Sequence, residues 1–204
     1  KMPPAWPFGG AAVPAAPLQI RPHGLSNGSA GVGENGMINE LGAGGEAFDP
    51  NNPVDAQDKD KLNRMSAGLY EMGSTIKSFT TAMALDSGKV KLESRFDASR
   101  PITIGHQTIH DFHGKGRVLT VPEVFIYSSN IGSAREAEVV GIEGHREFLH
   151  RLGILDRMQT ELPEVAKPTE PKVWKQVNSI TIAFGHGVST TPLQTAVGCA
   201  ALMN

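Results

Sequence analysis

The chain has 204 residues, is 39% hydrophobic and 20% charged, and carries a net charge of −2. A globular chain of this size buries a substantial core, and its near-neutral balance gives neither nucleic acid nor an anionic membrane surface an electrostatic reason to bind. The single cysteine, Cys199, excludes an internal disulfide framework and a cysteine-based zinc site.

Residues 1–45 are crowded with proline, glycine and alanine. Pro3, Pro4, Pro7, Pro14, Pro17 and Pro22 are spaced too closely for a helix, so this stretch reads as an irregular arm ahead of a structured part, residues 46–204. Gly31, Gly33 and Gly36 match the spacing of a dinucleotide-binding loop. No strand precedes them and no good helix follows, so no cofactor is expected. No stretch reaches the roughly 18–20 apolar residues of a spanning helix, and the first residues lack the charged-then-apolar order of a secretion signal, so the chain as written reads as soluble.

Beyond a turn-rich stretch at residues 48–53 the pattern becomes periodic. Residues 74–85 are predicted as a helix with Ile76, Phe79, Thr80 and Met83 on one buried face, stopped at Ser87 and Gly88. Residues 102–104 and 108–110 alternate between glycine turns and are predicted as two short strands. Thr120 is a plausible N-cap and Pro122 suits a first turn, giving a helix over 121–127 that delivers Ser128, Ser129 and Asn130 into a turn. Helices over 131–140 and 143–152 are expected to end at Gly141 and Gly153. Pro163, Pro168 and Pro171 then interrupt the chain, and a last helix is predicted from Thr191 and Pro192 to Ala201.

Two clusters carry chemistry. Ser74 and Lys77 stand three residues apart, so a helix places hydroxyl and amine on one face. Serine needs a proton acceptor, and lysine becomes one when burial and the positive end of a helix lower its pKa. Gly73 allows close backbone approach, and the Ser74 amide at a helix start is a natural oxyanion donor. Alone, Ser-x-x-Lys is a weak signal, because serine at a helix start is usually only a cap. His106, His110 and His113 are spaced for a shared helix face, yet the segment alternates like a strand between Gly105 and Gly114. With no cysteine in the segment and its carboxylate, Asp111, not at supporting spacing, they are read as surface histidines with no metal.

The run Tyr70-Glu71-Met72-Gly73-Ser74-Thr75-Ile76-Lys77-Ser78-Phe79-Thr80 resembles the nucleophile segment of the class B penicillin-binding proteins. Ser128-Ser129-Asn130, followed by Ile131-Gly132, resembles the family's second motif. The stretch from Phe184 to Gln194, with Gly185 and Gly187, is similar to the family's glycine-flanked segment ahead of a helix. The pairing of these motifs looks most like the division-specific septal transpeptidases.

The resemblance implies an α+β fold: a penicillin-binding transpeptidase domain of the serine-lactamase type, mainly its helical subdomain. It also implies a function, D,D-transpeptidation of peptidoglycan stem peptides during cell division. Ser74 would attack the D-alanyl-D-alanine bond, Lys77 would act as base, Ser128 would relay a proton, and Asn130 would hold the substrate amide. Gly73, Ser129, Gly185 and Gly187 would line the substrate site. Implied partners are the stem peptide, β-lactams and other division proteins. The implied location is the outer, periplasmic face of the cytoplasmic membrane. No Lys-Thr-Gly tripeptide, the family's third motif, occurs in the chain. The domain therefore reads as truncated, short of sheet strands at both ends and of half its oxyanion hole. Two alternatives follow: a carboxypeptidase, lactamase or penicillin-sensing relative, in which water or nothing resolves the acyl-enzyme, and a non-catalytic interaction module or inactive fragment of this fold.

Overall fold

A computed structural model describes residues 63–105 and 107–203 of the chain. The irregular arm expected at residues 1–45 and its glycine triplet lie outside the described residues. Among these residues the architecture is mixed: six α-helices and six short strands, with no helix long and apolar enough to cross a membrane.

The strands pair two by two. β1 (Tyr70–Glu71) runs antiparallel to β6 (Ser189–Thr190), with Glu71 opposite Ser189. β2 (Arg95–Asp97) pairs with β5 (Val118–Thr120), and β3 (Ile102–Ile104) forms a hairpin with β4 (Gln107–Ile109). The two strands expected near Gly105 are therefore present, the second one residue earlier than its sequence pattern suggested. β1, β2, β5 and β6 carried no sequence signal of their own, being two or three residues long.

The helices make the core. A 3-10 turn (Gly73–Thr75) leads into α1 (Ile76–Asp86), so the helix predicted from Ser74 begins as a tighter turn. Ile76, Phe79, Thr80, Met83 and Ala84 of α1 are buried, one apolar stripe at helical spacing. α2 (Val121–Ile126) starts where predicted. The Glu123 carboxylate accepts hydrogen bonds from the Thr120 backbone N–H at 2.9 Å and hydroxyl at 3.1 Å. α3 (Asn130–Val140) and α4 (Ile142–Arg151) are joined through Gly141, whose φ of 91° suits only glycine.

One helix was not foreseen. α5 (Gln176–Ala183) carries Val177, Ile180, Thr181 and Ile182, β-branched residues whose intrinsic preference is weakly against helix. Ile180, Ile182 and Ala183 are buried, so packing overrides that preference. α3 packs most extensively against α5 and next against α1, placing it at the centre of the helical layer. α6 (Pro192–Met203) closes over Phe79 and Ile154 through Gly198, where a side chain would collide with both. Cys199 is half-buried against the same core.

Candidate active site

The first turns of α1 and α3 meet at one place. Lys77, in the first turn of α1, is 3% exposed although charged residues are seldom buried. Its Nζ lies 3.3 Å from Ser74 Oγ, 2.8 Å from Ser128 Oγ, 2.7 Å from the Ser128 carbonyl oxygen and 2.7 Å from Asn130 Oδ1. Ser74 itself is exposed.

Counting protons fixes how a neutral amine must sit here. It has two N–H donors and one lone pair, and the lone pair needs a donor opposite it. The Ser128 carbonyl and Asn130 Oδ1 can only accept, so they take the two N–H bonds. The lone pair is left facing the hydroxyls of Ser74 and Ser128. Burial lowers the Lys77 pKa from the ordinary lysine value, while the Asp111 carboxylate partly offsets this. In its neutral form, which burial favours, the amine would therefore have its lone pair within reach of a hydroxyl proton.

Ser128 owes its orientation to the way α2 ends. Its φ is 51°, a left-handed conformation that costs a non-glycine residue about 1–2 kcal/mol. The Ser128 N–H donates to the Phe125 carbonyl at 3.1 Å and the Ser129 N–H to the Val124 carbonyl at 3.0 Å, the bonding pattern of a Schellman cap. α4 ends identically: Gly153 N–H donates to His150 and Ile154 N–H to Leu149, with Gly153 at φ 71°. The glycine position of one cap is thus occupied by serine in the other, and there both the hydroxyl and the carbonyl reach Lys77.

Ser129 turns the other way. It is 1% exposed, and its Oγ accepts from the Gly132 N–H at 2.8 Å, capping α3, and donates to Asp111 Oδ2 at 2.7 Å. Its hydroxyl is thus engaged within the fold, whereas the family resemblance implies a place against substrate. Asn130 uses both ends of its amide, Oδ1 toward Lys77 and Nδ2 toward the His110 carbonyl at 3.0 Å. One N–H of that amide remains over. His110 and His113 are exposed, and His106 lies outside the described residues.

Asp111 is the residue sequence reasoning missed. Its Oδ1 accepts the Ile131 N–H at 2.9 Å while Oδ2 takes the Ser129 hydroxyl, so the carboxylate sits on the positive end of α3. Nothing local marks it, because its partners lie about one strand and one helix further on.

The glycines of the 184–194 segment approach the 71–75 stretch. Gly185 has φ 120°, and a Cβ built there would overlap the backbone of Gly73, itself at φ 54°. Gly187, at φ 100°, donates its N–H to Glu71 Oε1 at 2.7 Å.

An exposed serine whose nearest base is a desolvated lysine, on a helical layer flanked by short strands, places the chain in the class of serine–lysine sites. Within that class, the chain belongs to the penicillin-binding protein transpeptidase domain family, whose model matches residues 39–204. It is 43% identical over 157 residues to a probable peptidoglycan D,D-transpeptidase FtsI of Caulobacter vibrioides, covering 77% of this chain and 27% of that one. It is 35% identical over 158 residues to a probable peptidoglycan D,D-transpeptidase PenA of Neisseria gonorrhoeae, covering 76% and 27%. The chain thus spans about a quarter of the length of these curated relatives. Among solved structures, the transpeptidase domain of Burkholderia pseudomallei penicillin-binding protein 3 superposes with a TM-score of 0.64 at 27% identity, over 68% of this chain and 43% of that one. A peptidoglycan glycosyltransferase from Burkholderia ambifaria gives 0.65 at 26%, over 69% and 45%.

Proposed function

We propose that this chain carries the acylation machinery of a peptidoglycan D,D-transpeptidase of the division-specific group. The reading rests on one observation above the others: the buried Lys77 amine, its pKa lowered by desolvation, 3.3 Å from the exposed Ser74 hydroxyl.

Ser74 Oγ attacks the carbonyl carbon of the penultimate D-alanine while its proton passes to the Lys77 lone pair. The Ser74 amide, in the 3-10 turn, donates to the developing oxyanion. The C–N bond breaks as a proton reaches the leaving D-alanine nitrogen through Ser128 Oγ, which already lies 2.8 Å from Nζ. An amine of a neighbouring stem peptide then attacks the acyl-enzyme and regenerates Ser74. The spare N–H of Asn130 serves the substrate amide, and Gly185 and Gly187 border the same approach. β-Lactams, whose ring amide mimics the scissile bond, acylate Ser74 by the first half of this sequence. The proposed place of action is the outer face of the cytoplasmic membrane.

Labelled penicillin tests the reading. The expected result is a covalent adduct on Ser74 that disappears in Ser74→Ala. A stoichiometric adduct that turns over rapidly to penicilloate would favour a lactamase-like relative. Absence of any adduct on folded protein, at penicillin concentrations that saturate related proteins, would favour a non-catalytic module.

A further inference from the structure

Glu71 stands three residues before the nucleophile and outside the lysine network. Its two carboxylate oxygens are both engaged by the 185–187 loop: Oε1 accepts the Gly187 N–H at 2.7 Å, and Oε2 lies 3.0 Å from His186 Nδ1. Its backbone pairs with Ser189 across the β1–β6 ribbon. Two residues further on, Gly73 runs beside Gly185, so close that a Cβ on Gly185 would overlap the Gly73 backbone. The tripeptide Glu71-Met72-Gly73 is therefore held at both ends by one loop: through a carboxylate at the first residue and through steric contact at the last.

The two restraints differ in kind. A steric contact stops approach but does not prevent separation, because dispersion between a few backbone atoms is weak. The Glu71 carboxylate is the part that pulls, with a charge-assisted bond to a backbone N–H. Its pKa lies below the ordinary glutamate value, chiefly through the Gly187 N–H and then His186, so the accepting form is the one present at neutral pH. Lys77 is fixed separately, by Ser128 and Asn130. Ser74 and Lys77 are already set one turn apart by the 73–75 turn and α1; what the 185–187 loop adds is a hold on the residues just before that turn, and with it on the final 3.3 Å approach of Ser74 Oγ to Nζ.

We infer that Glu71 is a positioning residue, tying the nucleophile turn to the glycine loop so that Ser74 Oγ stays within reach of the Lys77 lone pair. The inference builds on the acyl-transfer function proposed above, but the tie itself exists or fails independently of turnover.

Two measurements on the full chain decide it. Amide hydrogen exchange, which needs no activity, compares wild type with Glu71→Ala and Glu71→Gln. Glu71→Ala is expected to speed exchange at least tenfold at Gly187 and also through residues 73–75, leaving α4 unchanged; Glu71→Gln, which retains an acceptor for Gly187, is expected to stay within about threefold of wild type. Faster exchange confined to Gly187 would overturn the inference, because the loop would then loosen without the nucleophile turn following. The second measurement is penicillin acylation of Ser74. Glu71→Ala should lower the first-order acylation step by tenfold or more with little change in penicillin affinity, and Glu71→Gln should restore most of it. Acylation of Glu71→Ala at the wild-type rate overturns the inference and leaves the proposed function standing. Absence of acylation in wild type itself counts against the function alone, and the exchange data then decide the tie.

Discussion

Lys77 Nζ contacts Ser128 twice, at the hydroxyl (2.8 Å) and at the carbonyl (2.7 Å), although the two residues are 51 positions apart in the chain. In the proposed mechanism the carbonyl contact orients the amine and the hydroxyl contact gives its proton somewhere to go. Replacing Lys77 with methionine keeps the buried stem and removes both uses. Penicillin acylation of Ser74 is expected to fall by about 10²–10⁴, the usual worth of a positioned base. Lys77→Arg should not rescue it, since guanidinium stays protonated and cannot accept. Circular dichroism on the same variants checks that the helices persist.

Asp111 offers a test through pH. Its negative charge favours the charged form of Lys77 and so holds that pKa up against desolvation. Asp111→Asn removes the charge, so the amine loses its proton at a lower pH than in wild type. The acid limb of the acylation–pH profile should therefore move to lower pH. A limb that stays put, or moves up, would mean that Lys77 is not the group being titrated. The same variant weakens the cap at Ile131, so a thermal melt should accompany the profile.

Ser128 sits where glycine is preferred, as Gly153 does in the matching cap of α4. Ser128→Gly is expected to stabilise the fold, by up to about 1 kcal/mol from relief of the left-handed strain, while acylation falls. Ser128→Ala keeps the strain and should lower acylation without the gain. Opposite movement of melting temperature and acylation rate in Ser128→Gly is the outcome to look for; a fall in both would show that the hydroxyl is needed for folding.

Two buried groups away from the site give opposing pH effects on stability. Burial raises the pKa of Glu136, on α3, from 4.5 to about 7, though Thr81 donates to one of its oxygens. Burial lowers that of His145, on α4, from 6.5 to about 4; its Nδ1 pairs with Ser179 Oγ at 2.8 Å. The Glu136 contribution is fully present below pH 4.5 and is lost as pH rises toward 7. The His145 contribution is present above 6.5 and is lost as pH falls toward 4. Each spans on the order of 3 kcal/mol, and between their ordinary pKa values the slopes cancel. The contributions of these two groups should thus nearly cancel across that window. Glu136→Gln should unmask the histidine, so that urea-midpoint stability rises with pH through the same range.

Much of the helical layer was legible because its ends are marked by residues with local reasons to be there. Thr120 and Pro122 announce α2, and Gly141 and Gly153 close α3 and α4. The Ser74–Lys77 and Ser128–Asn130 clusters were legible as chemistry, and the structure brings them within hydrogen-bonding distance. α5 was hidden because its residues favour strand and only burial makes them helical. Asp111 was hidden for another reason: its ligands are the start of a helix reached after a strand and another helix. Ser129 carried a motif and turned out to be committed to a cap, a distinction that depends on which way one hydroxyl points.

The site draws on residues 71–77, 110–111, 128–131 and 185–187, so no single hairpin or helix contains it. Contacts between such distant segments form late, because closing long loops costs entropy before any bond is made. A chain that has formed its helices but has not yet seated α1 against α3, or the glycine loop against the Glu71–Gly73 stretch, holds every required side chain and none of the required distances. Covalent labelling of Ser74 in a refolding time course would therefore clock the last step of assembly, lagging behind the recovery of helical signal.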